Sequence, residues 1–400
     1  MLVAPGIDVL IEERLDLIRG KRIGLLTNQT GRDAAGVSDI DRLSSDPRVR
    51  AADVKLMRLF SPEHGIRGTE DRENLANSTD AKSGLAIISL YTSGTIAPPD
   101  SMLRDLDALV FDLQDIGTRT WTYVGNLVYA LRAARRTGIS IIVLDRPAPI
   151  SGLCCQGPML DSALANPEET TPRRPGLAYA LYPFPLRHGM TMGELAQFFN
   201  GELKIGANLR VVPLRGWSRG LWYDDTGLEW VKPSPNIPSL LSAFLYPALV
   251  ALEATYVSVG RGTGLAHQRI GAPWMRSAEM VRLLTDRALP GLRFEPDSFA
   301  ANAYGAQQPY KGQAVPGVRI VVTDRNRVDV GRLGAAIVWA LGRTSPESLR
   351  VMPRAFDLRW GSPAMREALL RGEDPDAVLT RDNAAVQRFR ARARPYLLYR

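Results

Sequence analysis

Residues 108–147 read ALVFDLQDIGTRTWTYVGNLVYALRAARRTGISIIVLDRP, which is one strand, helix, strand unit. Ala108 to Leu113 and Ser140 to Leu144 are short apolar runs of the kind that form parallel strands buried on both faces. Between them, in Trp121 to Arg136, Val124, Leu127, Val128, Leu131 and Ala134 recur at the spacing of one helix face, and Gly138 supplies the stop. Towards the amino terminus the same kind of run returns at Arg22 to Asn28, Val54 to Phe60 and Leu85 to Leu90, with amphipathic stretches between. Five such runs joined by helical crossovers predict an α/β fold with a Rossmann-like, mostly parallel sheet.

Towards the carboxyl terminus the pattern loosens. Residues 151 to about 187 are rich in Pro, Gly and Ala, which reads as a long connection over the cleft and a domain boundary. The expected division is a Rossmann-like catalytic domain at 1–165 and an α+β domain at 166–400 that closes the cleft and completes the pocket. In the second part the sequence predicts a helix from Thr191, a strand near Leu209 to Pro213, a Pro-rich loop at Pro233 to Pro238 and a helix to about Leu252.

With 400 residues, 45% of them hydrophobic, the chain can bury a large core, which excludes a disordered or fibrous protein. The formal charge of +8 is spread over scattered arginines, so nucleic acid is not expected as a partner, and Arg388 to Arg394 read as the solvated face of a helix. Cys154 and Cys155 are neighbours and cannot staple distant parts of the fold. Met1 to Leu10 lack the features of a signal peptide, and no run reaches the ~18 apolar residues of a spanning helix. The expectation is a cytoplasmic protein without a membrane partner.

Ligands of an open parallel sheet bind beyond the carboxyl ends of its strands, so the residues after each apolar run matter most. Here they are Thr27-Asn28-Gln29-Thr30-Gly31, Ser61-Pro62-Glu63-His64-Gly65, Asp112-Leu113-Gln114-Asp115 and Asp145-Arg146-Pro147. Glu63 is the first candidate for a proton donor, because a carboxylic acid beside an apolar strand end can keep its proton near neutrality, as glycosidic cleavage requires. The alternative is a structural pair with Arg67 or Arg119. His64, in what reads as an exposed loop, can orient Glu63, bind hydroxyls or cap the turn. Strand alternation puts Asp112 and Gln114 on one side, with Asp115 starting the turn. Paired carboxylates suit glycoside chemistry, although either Asp can instead cap the following helix.

Thr191-Met192-Gly193-Glu194 is a capping-box pattern, which assigns Glu194 a structural duty. Arg187-His188-Gly189 before it reads as a polar loop facing the cleft. The prolines around Asn236 would hold it in one orientation, and Gly260-Arg261-Gly262-Thr263-Gly264 sets one arginine in a flexible turn suited to a bidentate carboxylate contact. There is no phosphate loop, dinucleotide fingerprint or nucleophile elbow. The three histidines, His64, His188 and His267, lie far apart in sequence, so no metal site is expected.

Leu59-Phe60-Ser61-Pro62-Glu63-His64-Gly65-Ile66-Arg67-Gly68 resembles a signature of the NamZ-type exo-β-N-acetylmuramidases, glycoside hydrolases once catalogued as a domain of unknown function. Thr27 to Gly31, Phe111 to Arg119, Thr122-Tyr123, Val143 to Pro147, Arg187 to Thr191, Pro233 to Pro238, Gly260 to Thr263 and the closing Tyr396 to Tyr399 resemble further family segments, in order, over most of the chain. The resemblance implies release of N-acetylmuramic acid from the non-reducing end of peptidoglycan fragments, without a cofactor. It makes Glu63 the acid/base, supported by Asp112 or Asp115. It places Asn28, His64, Arg67, Gln114, Arg119, Tyr123, Asp145, Arg146, His188, Asn236 and Arg261 around the sugar, with Arg119, Arg146 or Arg261 on the lactyl carboxylate. Ala148, Tyr256 and Val259 stand where the family usually has Asn, Asn and Glu. The alternative reading is a muropeptide-binding or sensing protein that does not cleave.

Overall fold

The computed structural model describes residues 2–67, 75–91, 96–165, 180–301 and 310–400. Gly68 and most of the Pro-rich part of the 151–187 connection lie outside them.

All five apolar runs of the first 150 residues form strands: β1 (Arg22–Thr27), β2 (Lys55–Ser61), β4 (Ala86–Ser89), β5 (Ala108–Asp112) and β6 (Ser140–Leu144). A short β3 (Ser78–Thr79) lies on the edge. Two further strands, β7 (Gln156–Met159) and β8 (Pro185–Arg187), pair antiparallel to each other, and β9 (Asn208–Val212) follows. The main sheet has seven strands in the order β3-β4-β2-β1-β5-β6-β9, and every pairing in it is parallel except β3 with β4. The expected strand near Leu209 therefore completes this first sheet, by pairing with β6, so the sheet recruits residues well beyond 165.

Side chains alternate across the sheet as a two-residue period requires. Ile23 and Leu25 of β1, Val110 of β5 and Ile142 and Leu144 of β6 join one core, with Ile7 and Leu10 of the helix Gly6–Glu13 packed on it. Leu26, Leu109, Phe111, Ile141 and Val143 face the other way, onto Val124, Leu127, Val128 and Leu131 of the helix Thr122–Thr137, whose stop is Gly138 at φ 77°. The predicted helix is thus present within a residue at each end. Its core continues without a break into Leu245, Leu333, Ile337 and Trp360 of the carboxyl-terminal half. That half docks on the same face of the sheet as the crossover helix.

The carboxyl-terminal half is α+β. The strands β10 (Arg269–Gly271), β11 (Leu292–Ala300) and β12 (Ala314–Val322) form an antiparallel sheet with β12 central, surrounded by helices that include Leu240–Leu249, Val330–Thr344 and Pro353–Trp360. Both cysteines are free thiols. No described helix is long and apolar enough to cross a membrane.

Candidate active site

Because β1, β2, β5 and β6 run parallel, their carboxyl ends open on one edge of the sheet, and the polar residues that follow them meet there. At the end of β2 the chain turns through His64 (φ 69°) and Gly65 (φ 74°), two successive left-handed residues. For histidine this conformation costs roughly 1–2 kcal/mol and persists only where the surroundings enforce it. The expected exposed loop is in fact packed: His64 is buried and Glu63 half-buried. Among the described residues, Oε1 of Glu63 accepts a hydrogen bond from the Tyr91 hydroxyl at 3.0 Å and Oε2 one from the Thr122 hydroxyl at 2.6 Å. Among the described residues no cation lies within ion-pair distance of Glu63, so the structural pair with Arg67 or Arg119 does not form. Tyr91 and Thr122 were not among the candidates read from the sequence. Tyr91 follows the third apolar run, the one strand end left out of that reading, and Thr122 opens the crossover helix beside Tyr123.

Tyr123 is fully buried next to this carboxylate. Its hydroxyl donates to the Pro233 carbonyl at 3.0 Å and accepts from the Asn28 amide at 2.7 Å. Burial, then the negative field of Glu63, pushes the phenol well above its ordinary range, so it stays protonated. Asn28 Oδ1 in turn accepts from the Thr30 amide and hydroxyl at 2.9 and 2.6 Å. Gln29 donates to the Lys232 carbonyl at 2.8 Å, so the start of the Pro233 to Pro238 loop is tied to the end of β1 by Gln29 and to the crossover helix by Tyr123. Asn28, Glu63 and Tyr123 are thereby brought together. His64 and Arg67 line an adjoining cavity of about 300 Å³ with Ser61, Asn77 and Ser89. Arg67, largely exposed, also pairs with Asp80 at 2.6 Å.

Other candidates prove to be committed to the fold. Asp112 and Arg146 form a bidentate pair across β5 and β6, both almost wholly buried, with Nη2 to Oδ2 at 2.8 Å, and Arg146 also donates to the Arg32 carbonyl at 2.9 Å. Burial pushes Arg146 down, but the charge and hydrogen bonds of Asp112 outweigh it and leave it raised. Behind this pair lies Asp39, which burial and then the charge of Asp112 hold well above the usual carboxylate range. The Asp112 carboxylate is therefore neutralised by Arg146 rather than left free at the strand end. Asp145 accepts from Arg146 N at 2.9 Å, Gly193 N at 2.7 Å, the Thr191 hydroxyl at 2.8 Å and the Tyr399 hydroxyl at 2.5 Å. It docks the start of the helix Met192–Glu202 and the carboxyl-terminal tail onto β6. Gly193 is required there, since a Cβ at that position would come within 2.8 Å of the Asp145 carboxyl carbon.

Arg119 donates to the carbonyls of Leu358 and Arg359 at 2.9 Å and Trp360 at 3.1 Å, capping the helix Pro353–Trp360 where last-turn carbonyls have no helical partner. Arg187 does not face the cleft either. It is buried, donates to Gln156 and to the Ile150 carbonyl, and stacks on Trp222 and Phe244. Glu194 completes the predicted capping box with Thr191 and also pairs with Arg219 at 2.6 Å. Asp115 and His188 are buried together, Oδ2 to Nε2 at 3.3 Å, with the Gly117 amide donating to Asp115. Gln114 donates to the carbonyls of Asp115 and Pro147 at 2.8 and 2.9 Å. These three shape the loop that leads to Thr122.

The opposite wall comes from the carboxyl-terminal half. Trp121, one residue before Thr122, meets Tyr123 and Tyr246 edge-on at 5.4 and 5.9 Å, and Tyr246 meets His267 at 4.9 Å. The Asn236 backbone lies beside the His267 ring. Arg261 lies there beside Glu253, at 3.6 Å. No described group of three or more His, Cys, Asp or Glu residues is placed to hold a metal.

Family models described as the amino-terminal and carboxyl-terminal parts of the exo-β-N-acetylmuramidase NamZ match residues 23–241 and 244–399. The chain belongs to the NamZ family. It is 36% identical to the peptidoglycan β-N-acetylmuramidase NamZ of Bacillus subtilis over 99% of this chain and 91% of that one. Two solved structures of DUF1343 family proteins from Bacteroides fragilis resemble it over 100% of this chain and 99% of theirs. One has TM-score 0.87 at 33% identity, the other 0.77 at 25%. NamZ membership thus agrees with the resemblance read from Leu59 to Gly68, and the two family models together span the seven-stranded sheet and the carboxyl-terminal antiparallel sheet.

Proposed function

We propose that this protein is an exo-acting glycosidase that releases terminal β-N-acetylmuramic acid from the non-reducing end of peptidoglycan fragments, with Glu63 as the acid/base. The observation that carries the assignment of Glu63 is the nature of its partners. A hydroxyl can donate or accept, so Tyr91 and Thr122 hold either the carboxylate or the acid in place, whereas a guanidinium can only donate and locks a carboxylate as the anion. Among the described residues, Asp112 has the second environment and Glu63 the first. A group that must give up a proton to the departing glycosidic oxygen and take one back needs partners of the first kind. Tyr123, Asn28 and the Pro233 carbonyl form the polar floor beside it, and His64 and Arg67 line the adjoining cavity. The substrate is a small glycan, and no cofactor takes part. Action in the cytoplasm belongs to the same reading.

The test is turnover of a chromogenic β-N-acetylmuramide by the purified protein and by Glu63→Gln. The expected result is a loss of at least ~10²-fold in kcat in the variant, the size of a general-acid contribution. Equal turnover by the two proteins removes Glu63 from the reaction. Binding of N-acetylmuramic acid without any turnover by the wild type makes the protein a sensor instead.

A further inference from the structure

β2 and β4 end side by side: Ser61, the last residue of one, pairs in register with Ser89, the last residue of the other. Two residues further along each chain stand Glu63 and Tyr91, which hydrogen-bond each other at 3.0 Å. The cavity of about 300 Å³ that opens against Ser61 and Ser89 therefore begins two residues from the acid and from the tyrosine that holds it. Its walls carry hydroxyls and an amide from Ser61, Ser78, Ser89 and Asn77, beside an apolar patch of Ile66 and Ile87. The fold sets these groups in place. Ser89 is 6% exposed; its backbone amide donates to Asn77 Oδ1 at 2.9 Å, and its Oγ accepts from the Tyr91 amide at 3.3 Å. The Ser89 hydroxyl hydrogen is left without an acceptor among the described residues. Ser61, 2% exposed, reaches the Pro62 carbonyl at a long 3.4 Å. Asn77 stands exposed at the rim with Ser78, and its side-chain nitrogen donates to none of the described residues.

Unused donors beside an apolar patch suit a pyranose, whose hydroxyls bond at the ring edge while its C–H face packs on aliphatic side chains. None of the described lining residues is acidic, and the guanidinium of Arg67 is paired with Asp80 at 2.6 Å, so the cavity fits an uncharged ligand. Its volume, at the lower end of the range for small-molecule sites, takes one sugar ring. A general acid stands at the oxygen between two sugars, the one released and the one left behind. In peptidoglycan these are N-acetylmuramic acid, charged by its lactyl acid, and N-acetylglucosamine, which is neutral. The sugar left behind carries the rest of the glycan and needs an open side, and Arg67, Asn77 and Ser78 form an exposed rim here.

We propose that this cavity is the subsite of the departing N-acetylglucosamine, with Ser89 and Asn77 as the residues that read it. The proposal rests on the glycosidase reading above. Its test compares two substrates, the disaccharide of β-N-acetylmuramic acid on N-acetylglucosamine and the chromogenic aryl muramide, whose leaving group lacks the sugar's hydroxyls and acetamide. Both are assayed on the wild type, Asn77→Ala, Ser89→Ala and Ser78→Trp, the last of which narrows the rim. The ratio of kcat/KM, disaccharide over aryl glycoside, should fall by ~3–10-fold in Asn77→Ala and in Ser89→Ala, the worth of one hydrogen bond. The fall should lie in KM for the disaccharide and be larger in Ser78→Trp. Asn77 and Ser78 are exposed, so these two variants are expected to fold even if Ser89→Ala does not, and circular dichroism checks all three. Folded variants that keep the wild-type ratio, or lose both substrates equally, overturn the proposal. If the wild type cleaves neither substrate, the glycosidase reading fails. Titration with free N-acetylglucosamine followed by NMR then decides whether the cavity holds the sugar. Shift changes lost in Ser78→Trp support the site, and their absence in the wild type or persistence in Ser78→Trp overturns it.

Discussion

The chemistry turns on how two kinds of partner treat a carboxylate. Glu63 is positioned by hydroxyls on both oxygens, and each contact restrains the carboxyl without fixing its charge. If that restraint matters to catalysis, Tyr91→Phe and Thr122→Val should each lower kcat by roughly 10-fold with little change in KM, since misplacing a catalytic group costs rate more than binding. Steady-state kinetics on the chromogenic muramide, with circular dichroism to confirm folding, checks this. A parallel rise in KM would instead make the two hydroxyls sugar ligands. Tyr91 was within reach of the rule that directs attention to the residue after each apolar run, since it follows Leu90 directly. Thr122 was not, because only the folded crossover helix brings its hydroxyl to the end of β2.

Among elements, β5 and β6 are joined by their ladder and by the pair between Asp112 and Arg146 at their carboxyl ends. Removing one partner leaves an uncompensated buried charge, so Arg146→Met should destabilise the protein by about 3–5 kcal/mol. Adding Asp112→Leu should recover much of that loss, as apolar replacements of buried pairs often do. Chemical denaturation of the single and double variants measures both, and a double variant no more stable than the single one would give the pair a role beyond mutual neutralisation. The sequence presents Asp112 and Arg146 as strand-end polar residues equivalent to Glu63. Nothing in their local pattern says that they face each other, because that depends on the register of β5 against β6.

Over the whole molecule, the carboxyl-terminal half is bound to the sheet by a continuous apolar core, by Arg119 on the last turn of the helix Pro353–Trp360 and by Tyr399 on Asp145. Glu253, with Arg261 at 3.6 Å and His267 at 3.5 Å, adds a pH dependence to that half. Its folded carboxyl titrates near 2, below the ordinary 4.5, so the stabilisation is fully present above about pH 4.5 and is lost as pH falls towards 2. A difference of that size corresponds to about 3 kcal/mol. Glu253→Gln should therefore lower the melting temperature at pH 7 and flatten its fall between pH 4.5 and 2, which a calorimetric pH series will show. A variant that keeps the wild-type slope would place the acid sensitivity elsewhere.

The apolar runs and the 3.6-residue pattern of Trp121 to Arg136 were enough to determine a parallel α/β sheet with its polar strand ends on one edge, and the Glu63 segment was enough to determine the family. Periodicity is local and survives without knowledge of partners. What each polar strand end does was decided only by tertiary structure. Asp112, Arg146, Asp145 and Arg119 are the same residue types as true ligands, yet each meets a partner 34 to 254 residues away that satisfies it internally. The same holds for β9, whose apolar run reads as part of a second domain until its pairing with β6 puts it in the first sheet. A single chain reveals which residues carry charge, but the fold determines which of those charges are already paired.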